Sequence, residues 1–403
     1  MDKIVYKEYI NHHEDIFKNK SDETKLIHCG QEPDYINGSV VPNISLATTY
    51  TQHSPGDPYG EFDYSRCGNP TREHLERLIT SIENGKHSIV FASGCGATNT
   101  IINLVKTGEE VICIDDVYGG TQRIFRKISN LTHGVNYIFD PLTDLNKFKS
   151  LLSEKTRMIW IESNTNPTLK IVDIKSIINI SKEYNKDIIV VVDNTFLTPY
   201  YFKALDIGAD IAYESCTKYL SGHSDVVMGS LSVNNTELYE KLYFIAKSIG
   251  ANPSPFDCYM MIRGMKTLHL RMEKHTENAL KIAEFLETQN KIEKVMYPGL
   301  KSSEYNENLN KISKSAGGVI SFILKTDMEG TVKFVKSLKI ITLAESLGAI
   351  ESLINHPAKM THFSLPPEVR KELGISDSFL RISVGCENVN DLIEDLKFAL
   401  SVI

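Results

Sequence analysis

Between about residues 86 and 230, short apolar runs alternate with stretches of helical periodicity. Buried strands that lack polar positions and are separated by helices are typical of a mostly parallel sheet covered on both faces. In such sheets, ligands bind beyond the carboxyl ends of the strands. The pattern therefore predicts an α/β fold with its site at that edge. The runs are Ile89–Phe91, Val111–Ile114, Met158–Ile161, Ile188–Val192 and Val226–Gly229.

The same reading predicts three parts of the chain. Residues 1–63 carry scattered prolines and few periodic stretches, which predicts an extended N-terminal arm that needs a partner surface. Residues 64–263 hold the alternating pattern and form the predicted large domain. Residues 264–403 are predicted to form a smaller C-terminal α/β domain with a short antiparallel-type sheet. Its predicted elements are helices at 264–289, 329–338 and 390–402 and strands at 293–296, 317–324 and 379–384.

Composition and charge argue against several classes of protein. The 403 residues are 41% hydrophobic and 24% charged with a net charge of −7, which is ordinary for a globular protein and disfavours a nucleic-acid partner. No run approaches the roughly 20 apolar residues of a membrane span, and no secretory signal opens the chain. The seven cysteines and twelve histidines show no disulfide or metal-binding spacing. We expect a cytoplasmic protein without a metal or a membrane partner.

One aspartate and one lysine stand where a pyridoxal 5'-phosphate (PLP) site needs them. Asp193 directly follows the run Ile188–Val192, and Lys218 lies further along in Ser215-Cys216-Thr217-Lys218. A carboxylate can pair with the pyridinium nitrogen of PLP, and an amine can bind its aldehyde. Taken singly, an aspartate after a strand often caps a helix and most lysines are solvated. Together with a phosphate-binding segment, however, the pair predicts a PLP site.

A candidate phosphate site follows the strand-like run at 88–92. The segment Ser93-Gly94-Cys95-Gly96 is built of small residues and opens a helical stretch, so main-chain N–H groups can approach an anion there. It lacks the third glycine of a dinucleotide fingerprint and the lysine of a P-loop. The hydroxyls of Ser215 and Thr217 offer further donors to the same phosphate. The alternative is a tight turn that binds nothing.

These features belong to six motifs that together resemble the cystathionine γ-lyase and γ-synthase family of Cys/Met-metabolism (trans-sulfuration) PLP enzymes. The resemblance runs from about Val40 to the C-terminus and implies the aspartate-aminotransferase-like fold, PLP fold type I. The motifs are Tyr64–Thr71, Asp116–Thr121, Glu162–Pro167, Val192–Thr195, Ser215–Lys218 and Arg381–Gly385.

The resemblance implies how the cofactor is held. Lys218 would bind it covalently, Asp193 would pair with its ring nitrogen, and Tyr118 would stack on its ring. Without the resemblance, Tyr118 could equally pack a turn. Because two of the phosphate ligands would come from a neighbouring subunit, the resemblance implies a homotetramer, a dimer of dimers with shared sites. The phosphate would be held by Gly94, Cys95, Ser215 and Thr217, and by Tyr64 and Arg66 from the neighbour.

The resemblance also implies the reaction, γ-elimination on L-cystathionine to give L-cysteine, 2-oxobutanoate and ammonia. Arg381, Asn166 and the Ser346 main chain would bind the substrate carboxylate, since an arginine fork makes two charge-assisted hydrogen bonds. A solvated edge-strand arginine is the alternative for Arg381. Asp63 and Glu345 match acidic positions expected to receive the distal amino group, although Asp63 is one methylene shorter than the usual glutamate.

Three other functions stay open at this stage. Cystathionine γ-synthase would use the same groups to join cysteine to an activated homoserine. Methionine γ-lyases carry a cysteine where this chain has Gly119, and apolar residues near Glu345, so charge pairing favours cystathionine. From a different class, a catalytically silent PLP-binding scaffold would share the cofactor site, and only turnover separates it from an enzyme.

Overall fold

The computed structural model describes residues 3–361 and 367–403. The strands are β1 (Gln52–Ser54), β2 (Asp57–Pro58), β3 (His87–Phe91), β4 (Glu110–Ile114), β5 (Asn136–Asp140), β6 (Thr156–Glu162), β7 (Ile189–Asp193), β8 (Ile211–Glu214), β9 (Gly229–Val233), β10 (Ile292–Met296), β11 (Val319–Leu324), β12 (Thr342–Leu343), β13 (Leu353–Asn355) and β14 (Phe379–Ser383).

The helices are α1 (Lys3–Phe17), α2 (Asp22–His28), α3 (Pro70–Ile82), α4 (Gly94–Ile102), α5 (Gly119–Ile124), α6 (Asn130–His133), α7 (Leu145–Leu151), α8 (Ile174–Tyr184), α9 (Thr198–Tyr201), α10 (Thr236–Ile249), α11 (Pro255–Met265), α12 (Leu268–Glu287), α13 (Asn306–Ile312), α14 (Met328–Ser337), α15 (Pro367–Glu372) and α16 (Val389–Ser401). A π-helical turn spans Phe125–Ser129 and a 3-10 turn spans Ala204–Ile207.

The chain forms two compact units. The first unit comprises Met1–Lys106 and Lys203–His269, and the second comprises Thr107–Phe202 and Leu270–Ile403. These units group residues by their internal contacts, whereas the predicted parts 1–63, 64–263 and 264–403 follow the order of the chain. The three-part division stays a prediction.

In the first unit, an antiparallel ladder supports the helices. Strand β9 pairs with β3 along one edge and with β8 along the other. Helix α3 begins as its sequence predicts, because the Asn69 side chain accepts a hydrogen bond from the Arg72 N–H and Pro70 occupies the first turn. Its apolar stripe is buried, as the helical spacing indicates. The stripe consists of Leu75, Leu78, Ile79 and Ile82.

In the second unit, four strands are parallel, in the order β7, β6, β4, β5. Strand β7 is buried at all five positions, which is why its sequence is a continuous apolar run with no polar alternation. In the β6–β7 register, Glu162 lies opposite Asp193 at the carboxyl ends of the two strands. The α/β class is confirmed, and two carboxylates meet at the predicted edge.

A second sheet of this unit has the order β10, β11, β14, β13, β12, antiparallel except for the β12–β13 pair. The predicted strands at 293–296, 317–324 and 379–384 correspond to β10, β11 and β14. In register, Arg381 on β14 lies between Ser321 on β11 and Asn355 on β13. The sheet thus fixes the neighbours of the arginine.

Several predicted elements differ from the structure. The run Val226–Gly229 was predicted as a strand, but residues 226–228 form a loop and β9 begins at Gly229. Helices α1 and α2 lie in the segment predicted to be irregular, although residues 31–48 carry no helix or strand. The long helix predicted at 264–289 corresponds to the end of α11 and to α12.

Within residues 3–361 and 367–403, every helix is too short or too polar to cross a membrane. The same ranges contain no group of three or more His, Cys, Asp or Glu side chains placed to hold a metal ion.

Candidate active site

The predicted phosphate site of the first unit is the start of helix α4. Ser93 is the N-cap, and its hydroxyl accepts a hydrogen bond from the Gly96 N–H at 3.1 Å. The helix begins at Gly94 directly after strand β3, so main-chain N–H groups of its first turn have no partners within the helix. Cys95 in that turn is exposed. The predicted anion site therefore has the local geometry it requires.

The position of Gly94 admits no side chain. A Cβ there would lie 2.5 Å from the Tyr213 hydroxyl and 3.4 Å from the Ser215 side chain. A Cβ on Gly229, which faces it from strand β9, would lie 2.6 Å from the Gly94 Cα. The paired glycines let β9 approach the start of α4, and this close approach brings Ser215 beside Gly94. The structure thus places together two of the predicted phosphate ligands.

The loop after strand β8 carries the other residues predicted in this unit. Lys218 is partly buried, and its N–H donates to the Ser215 carbonyl at 3.0 Å. Thr217 is tied to Met228 by both its N–H and its hydroxyl. Cys216 between them is fully buried, and burial raises the pKa of its thiol. The loop is therefore fixed along its backbone at the lysine.

The residues predicted to serve a neighbouring subunit are exposed. Tyr64 is 44% exposed, and the Arg66 guanidinium lies 5.6 Å from the centre of its ring. The guanidinium donates to the Lys247 carbonyl at 2.7 Å, and within the described ranges no hydrogen bond links it to Ser93–Cys95. Asp63 is also exposed and accepts a hydrogen bond from the Tyr64 N–H. None of these side chains is committed to the core of its own unit.

In the second unit, Asp193 and Glu162 form a buried pair of carboxylates at the ends of β7 and β6. Burial raises the pKa of Asp193, while hydrogen bonds from the Thr195 N–H (3.0 Å) and hydroxyl (2.6 Å) to Oδ1 oppose that rise. Burial and the charge of Asp193 raise the pKa of Glu162 well above its usual range. Burial therefore raises the pKa of both carboxyls, and the two Thr195 hydrogen bonds favour the ionised form of Asp193.

Glu162 also positions Tyr118. The Tyr118 N–H donates to Glu162 Oε1 at 2.7 Å, and Tyr118 precedes helix α5 with its side chain 40% exposed. Two residues earlier, the buried Asp116 accepts hydrogen bonds at Oδ2 from the Thr168 N–H and hydroxyl. Burial raises the pKa of Asp116 to about 6. The tyrosine and the loop around Thr168 are therefore anchored by buried carboxylates.

Arg381, Asn166 and Ser346 lie together in the second unit. Arg381 is 2% exposed, so it is not a solvated edge-strand residue. It donates from Nη1 to Asn166 Oδ1 at 2.7 Å and from Nη2 to the Ser346 carbonyl at 2.8 Å. Ser346 has a φ of +88°, a strained conformation of the kind that clusters at functional sites. The two hydrogen bonds fix the orientation of the guanidinium.

Three supporting residues were not found from the sequence. Glu162 positions Tyr118, Thr195 stabilises the charge of Asp193, and the Ser321 hydroxyl donates to the Pro167 carbonyl at 2.6 Å beside Arg381. Glu162 stands in one of the six motifs, which could have indicated it. Ser321 gives no local signal, because its role depends on the strand register.

The residues present fit PLP. The cofactor has an anionic phosphate and a ring nitrogen that can be protonated. The start of α4 beside Gly94 suits the phosphate, because a Cβ would fill the space there. Asp193 suits the ring nitrogen, because it is a buried carboxylate whose Oδ2 accepts no hydrogen bond from the described residues.

Comparisons with known proteins agree with this reading. The sequence model of the family described as "Cys/Met metabolism PLP-dependent enzyme" matches residues 23–401. The chain is 48% identical to cystathionine gamma-lyase of Dictyostelium discoideum, over 94% of this chain and 97% of that protein. It is 46% identical to cystathionine beta-lyase of Coxiella burnetii, over 94% and 97%. The crystal structure of cystathionine gamma-lyase from yeast matches with a TM-score of 0.91 at 46% identity, over 95% and 98%.

Proposed function

Because this chain belongs to the family of Cys/Met metabolism PLP-dependent enzymes, we propose that it catalyses γ-elimination on L-cystathionine, giving L-cysteine, 2-oxobutanoate and ammonia. One observation carries the proposal beyond the family. The second unit holds a buried arginine fork, Arg381, and the segment that accepts one of its hydrogen bonds also bears the exposed carboxylate of Glu345. A cation receptor and an anion receptor so arranged suit a substrate with a carboxylate at one end and an ammonium at the other.

PLP, when bound, takes up the electron pair left when the substrate loses its Cα proton. Lys218 would hold the cofactor and then accept that proton with its freed amine. Asp193, whose ionised form is favoured by the two Thr195 hydrogen bonds, would keep the ring nitrogen protonated. Tyr118 would pack on the ring face. Main-chain N–H groups at Gly94 and Cys95, with the Ser215 and Thr217 hydroxyls, would bind the phosphate.

Arg381 would bind the α-carboxylate of the substrate together with Asn166, and so orient the Cα–H bond. Glu345 and the exposed Asp63 would receive the distal ammonium. The space around Gly119 also argues against a methionine γ-lyase, because a Cβ there would lie 3.1 Å from the Thr361 carbonyl oxygen. A cysteine at this position would press against that backbone.

The product profile with L-cystathionine tests the proposal. Cysteine with 2-oxobutanoate is the expected outcome. Homocysteine with pyruvate would assign the β-elimination named for the Coxiella relative. Consumption of O-acyl-homoserine and cysteine, with cystathionine untouched, would assign γ-synthase activity. A yellow protein that loses its colour on borohydride treatment but turns over none of these substrates would be a silent scaffold.

The same proposal includes a homotetramer in the cytoplasm, with active sites shared between subunits. Large apolar side chains in the arm support an interface, since Ile36, Val40 and Leu46 are 84%, 78% and 72% exposed. The exposed Tyr64 and Arg66 support the sharing of sites. All seven cysteines lie in the described ranges and none forms a disulfide bond there, which supports a reducing compartment.

Mixing two impaired variants, at a PLP concentration too low to load Arg66→Ala, tests the shared site. Arg66→Ala is expected to weaken cofactor binding and Lys218→Ala to abolish turnover. In a mixed dimer, one of the two sites carries neither substitution. After subunit exchange, symmetric pairing predicts recovery to about a quarter of the parent rate. No recovery in a mixture whose exchange is verified by mass spectrometry would remove the shared site and leave the chemistry standing.

A further inference from the structure

Glu345 is held by a neutral side chain. Asn355, the last residue of β13, is 1% exposed, and its Nδ2 donates to Glu345 Oε2 at 3.2 Å. Glu345 itself is exposed. Among the described residues, no lysine, arginine or histidine forms an ion pair with its carboxylate. The carboxylate is therefore fixed in place without being neutralised.

The backbone on both sides of Glu345 is fixed as well. The Ala344 N–H donates to the Ile354 carbonyl at 3.1 Å, which extends the pairing of β12 with β13. The Ser346 carbonyl accepts the hydrogen bond from Arg381. Glu345 thus lies between two anchored peptide groups. The hydrogen bond from Asn355 restrains the carboxylate at the end of its side chain as well.

Asn355 is also linked to the arginine through the sheet. It lies opposite Arg381 in the antiparallel β13–β14 register. The same strand pair therefore sets the position of the guanidinium and of the amide that holds Glu345. A fixed separation between a cation and an anion is what recognition of a substrate with two charged ends requires.

The turn after Asn355 restrains its amide. The ring of His356 bonds to the Asp377 carbonyl at 2.8 Å and accepts from the Lys359 N–H at 3.2 Å. The sulfur of Met360 lies 3.5 Å from Asn355 Nδ2. With the turn held in this way, the amide has little freedom to leave Glu345.

Burial of the Asn355 amide lowers the stability of the fold, so stability does not explain why an amide stands there. Asn355 Oδ1 is buried, and no described residue donates to it. A buried acceptor without a partner is unfavourable, and an apolar residue of similar size would avoid the penalty. Local violations of this kind are expected where function requires them. The donor on the same side chain provides that function.

We propose that Asn355 is a specificity-determining positioning residue, which holds the Glu345 carboxylate to receive the distal ammonium of the substrate. This inference rests on the proposed function. The chemistry of the residue suits the role. A lysine or arginine at 355 would pair with Glu345 and neutralise it, whereas an acidic residue would repel it. An amide orients the carboxylate through a hydrogen bond and leaves its charge for the ligand.

The test compares two ligands that differ only in the distal amino group, L-cystathionine and S-(2-carboxyethyl)-L-homocysteine. Binding is measured by calorimetry on PLP-loaded Lys218→Ala protein, so the result does not depend on which bond the enzyme breaks. Asn355→Leu should weaken cystathionine binding roughly 5- to 10-fold and change the analogue less than twofold, as loss of one hydrogen bond of ordinary net strength predicts. In the otherwise native enzyme, KM for cystathionine should rise with kcat nearly unchanged.

Two controls separate positioning from structure. In a Glu345→Gln background, Asn355→Leu should have no further effect on the ratio of the two affinities. The thermal midpoint of Asn355→Leu should equal or exceed that of the parent, because the buried unpaired oxygen is gone. Equal weakening of both ligands, an undiminished effect in the Glu345→Gln background, or a parent protein that does not distinguish the ligands would each overturn the inference. A product profile other than γ-elimination would overturn the proposed function alone.

Discussion

The two units offer charge to a ligand by opposite means. In the first unit, the anion site is made of main-chain N–H groups at the start of α4, and Gly94 and Gly229 keep it open. In the second unit, the site consists of buried ionisable side chains, the carboxylates Asp193 and Glu162 and the guanidinium of Arg381. The first depends on empty space and backbone direction, and the second on desolvated charge.

This difference determines how each region should fail. A site made of backbone tolerates changes of charge nearby but not added volume, because the donors cannot be replaced by moving a side chain. A site made of buried charges tolerates little change of charge, because each group relies on neighbours such as Thr195 or Asn166. Substitutions that keep the shape of a side chain but change its charge should impair the site of the second unit more. Substitutions that add volume without changing charge should impair the site of the first unit more.

The largest effect is expected at Lys218, because backbone cannot supply the chemistry of its amine. Lys218→Ala should lower the rate of product formation from cystathionine by roughly 10²- to 10⁴-fold or more, the range for a lost general base. Folding should be retained, because the Lys218 N–H still bonds to Ser215. Rates are compared at saturating PLP.

Lys203→Ala provides a matched control. Lys203 belongs to the same unit, pairs with Asp22 at 3.1 Å and is not one of the predicted site residues. It should cost stability and leave the rate per folded protein unchanged. A Lys218→Ala enzyme that kept more than a tenth of the parent rate would contradict its predicted role.

The sequence predicted those parts of the molecule that depend on local pattern. The buried parallel strands and the Gly94 turn each follow from neighbouring residues in the chain. Strand β9 was placed three residues too early, because Val226 and Val227 look like a strand, whereas the true strand is Gly-Ser-Leu-Ser-Val. Its small polar residues suit close packing, as shown by the 2.7 Å bond between the Ser232 and Ser88 hydroxyls.

Roles that depend on strand register could not be predicted. Ser321 and Asn355 flank Arg381 only because β11 and β13 pair with β14 in one alignment, and nothing in their local sequence signals it. The resemblance supplied the roles of Asp63, Tyr64 and Arg66. The structure of one chain shows that these three side chains are exposed. Their roles stay predictions.

An intermediate effect is expected from added volume at Gly94. Gly94→Ala would place a methyl group 2.5 Å from the Tyr213 hydroxyl, and Tyr213 is only 3% exposed and cannot easily move. Overpacking of this kind costs roughly 1–3 kcal/mol, which corresponds to about 5- to 150-fold weaker PLP binding. The dissociation constant is measured by titrating apoenzyme with the cofactor and following its absorbance.

Removing the obstructing atom should reverse part of this loss. Tyr213→Phe deletes the hydroxyl and by itself should change PLP affinity little. The double variant Gly94→Ala/Tyr213→Phe should bind PLP more tightly than Gly94→Ala alone. If the effects of the two substitutions on PLP affinity were simply additive, volume at Gly94 would not limit the anion site. The claim that the first unit is sensitive to added volume would then be wrong.

The smallest effect concerns charge in the second unit and the pH dependence of stability. Burial raises the pKa of Asp116 to about 6, so the folded state binds its proton more tightly than the unfolded chain does. Its contribution to stability is therefore complete below the unfolded pKa of about 3.9 and is lost as pH rises through 6. Between pH 5 and pH 7 this amounts to about 1 kcal/mol of unfolding free energy.

Asp116→Asn keeps an acceptor for Thr168 and removes the titrating proton. Urea denaturation should show that the variant loses about 1 kcal/mol less than its parent between pH 5 and pH 7. Asp187→Asn, the same substitution at an exposed position of the same unit, should leave the parental pH dependence unchanged. If the free energy of unfolding declined identically in Asp116→Asn and its parent, the buried carboxyl of Asp116 would not limit the stability of the second unit. The claim that the second unit is sensitive to desolvated charge would then be wrong.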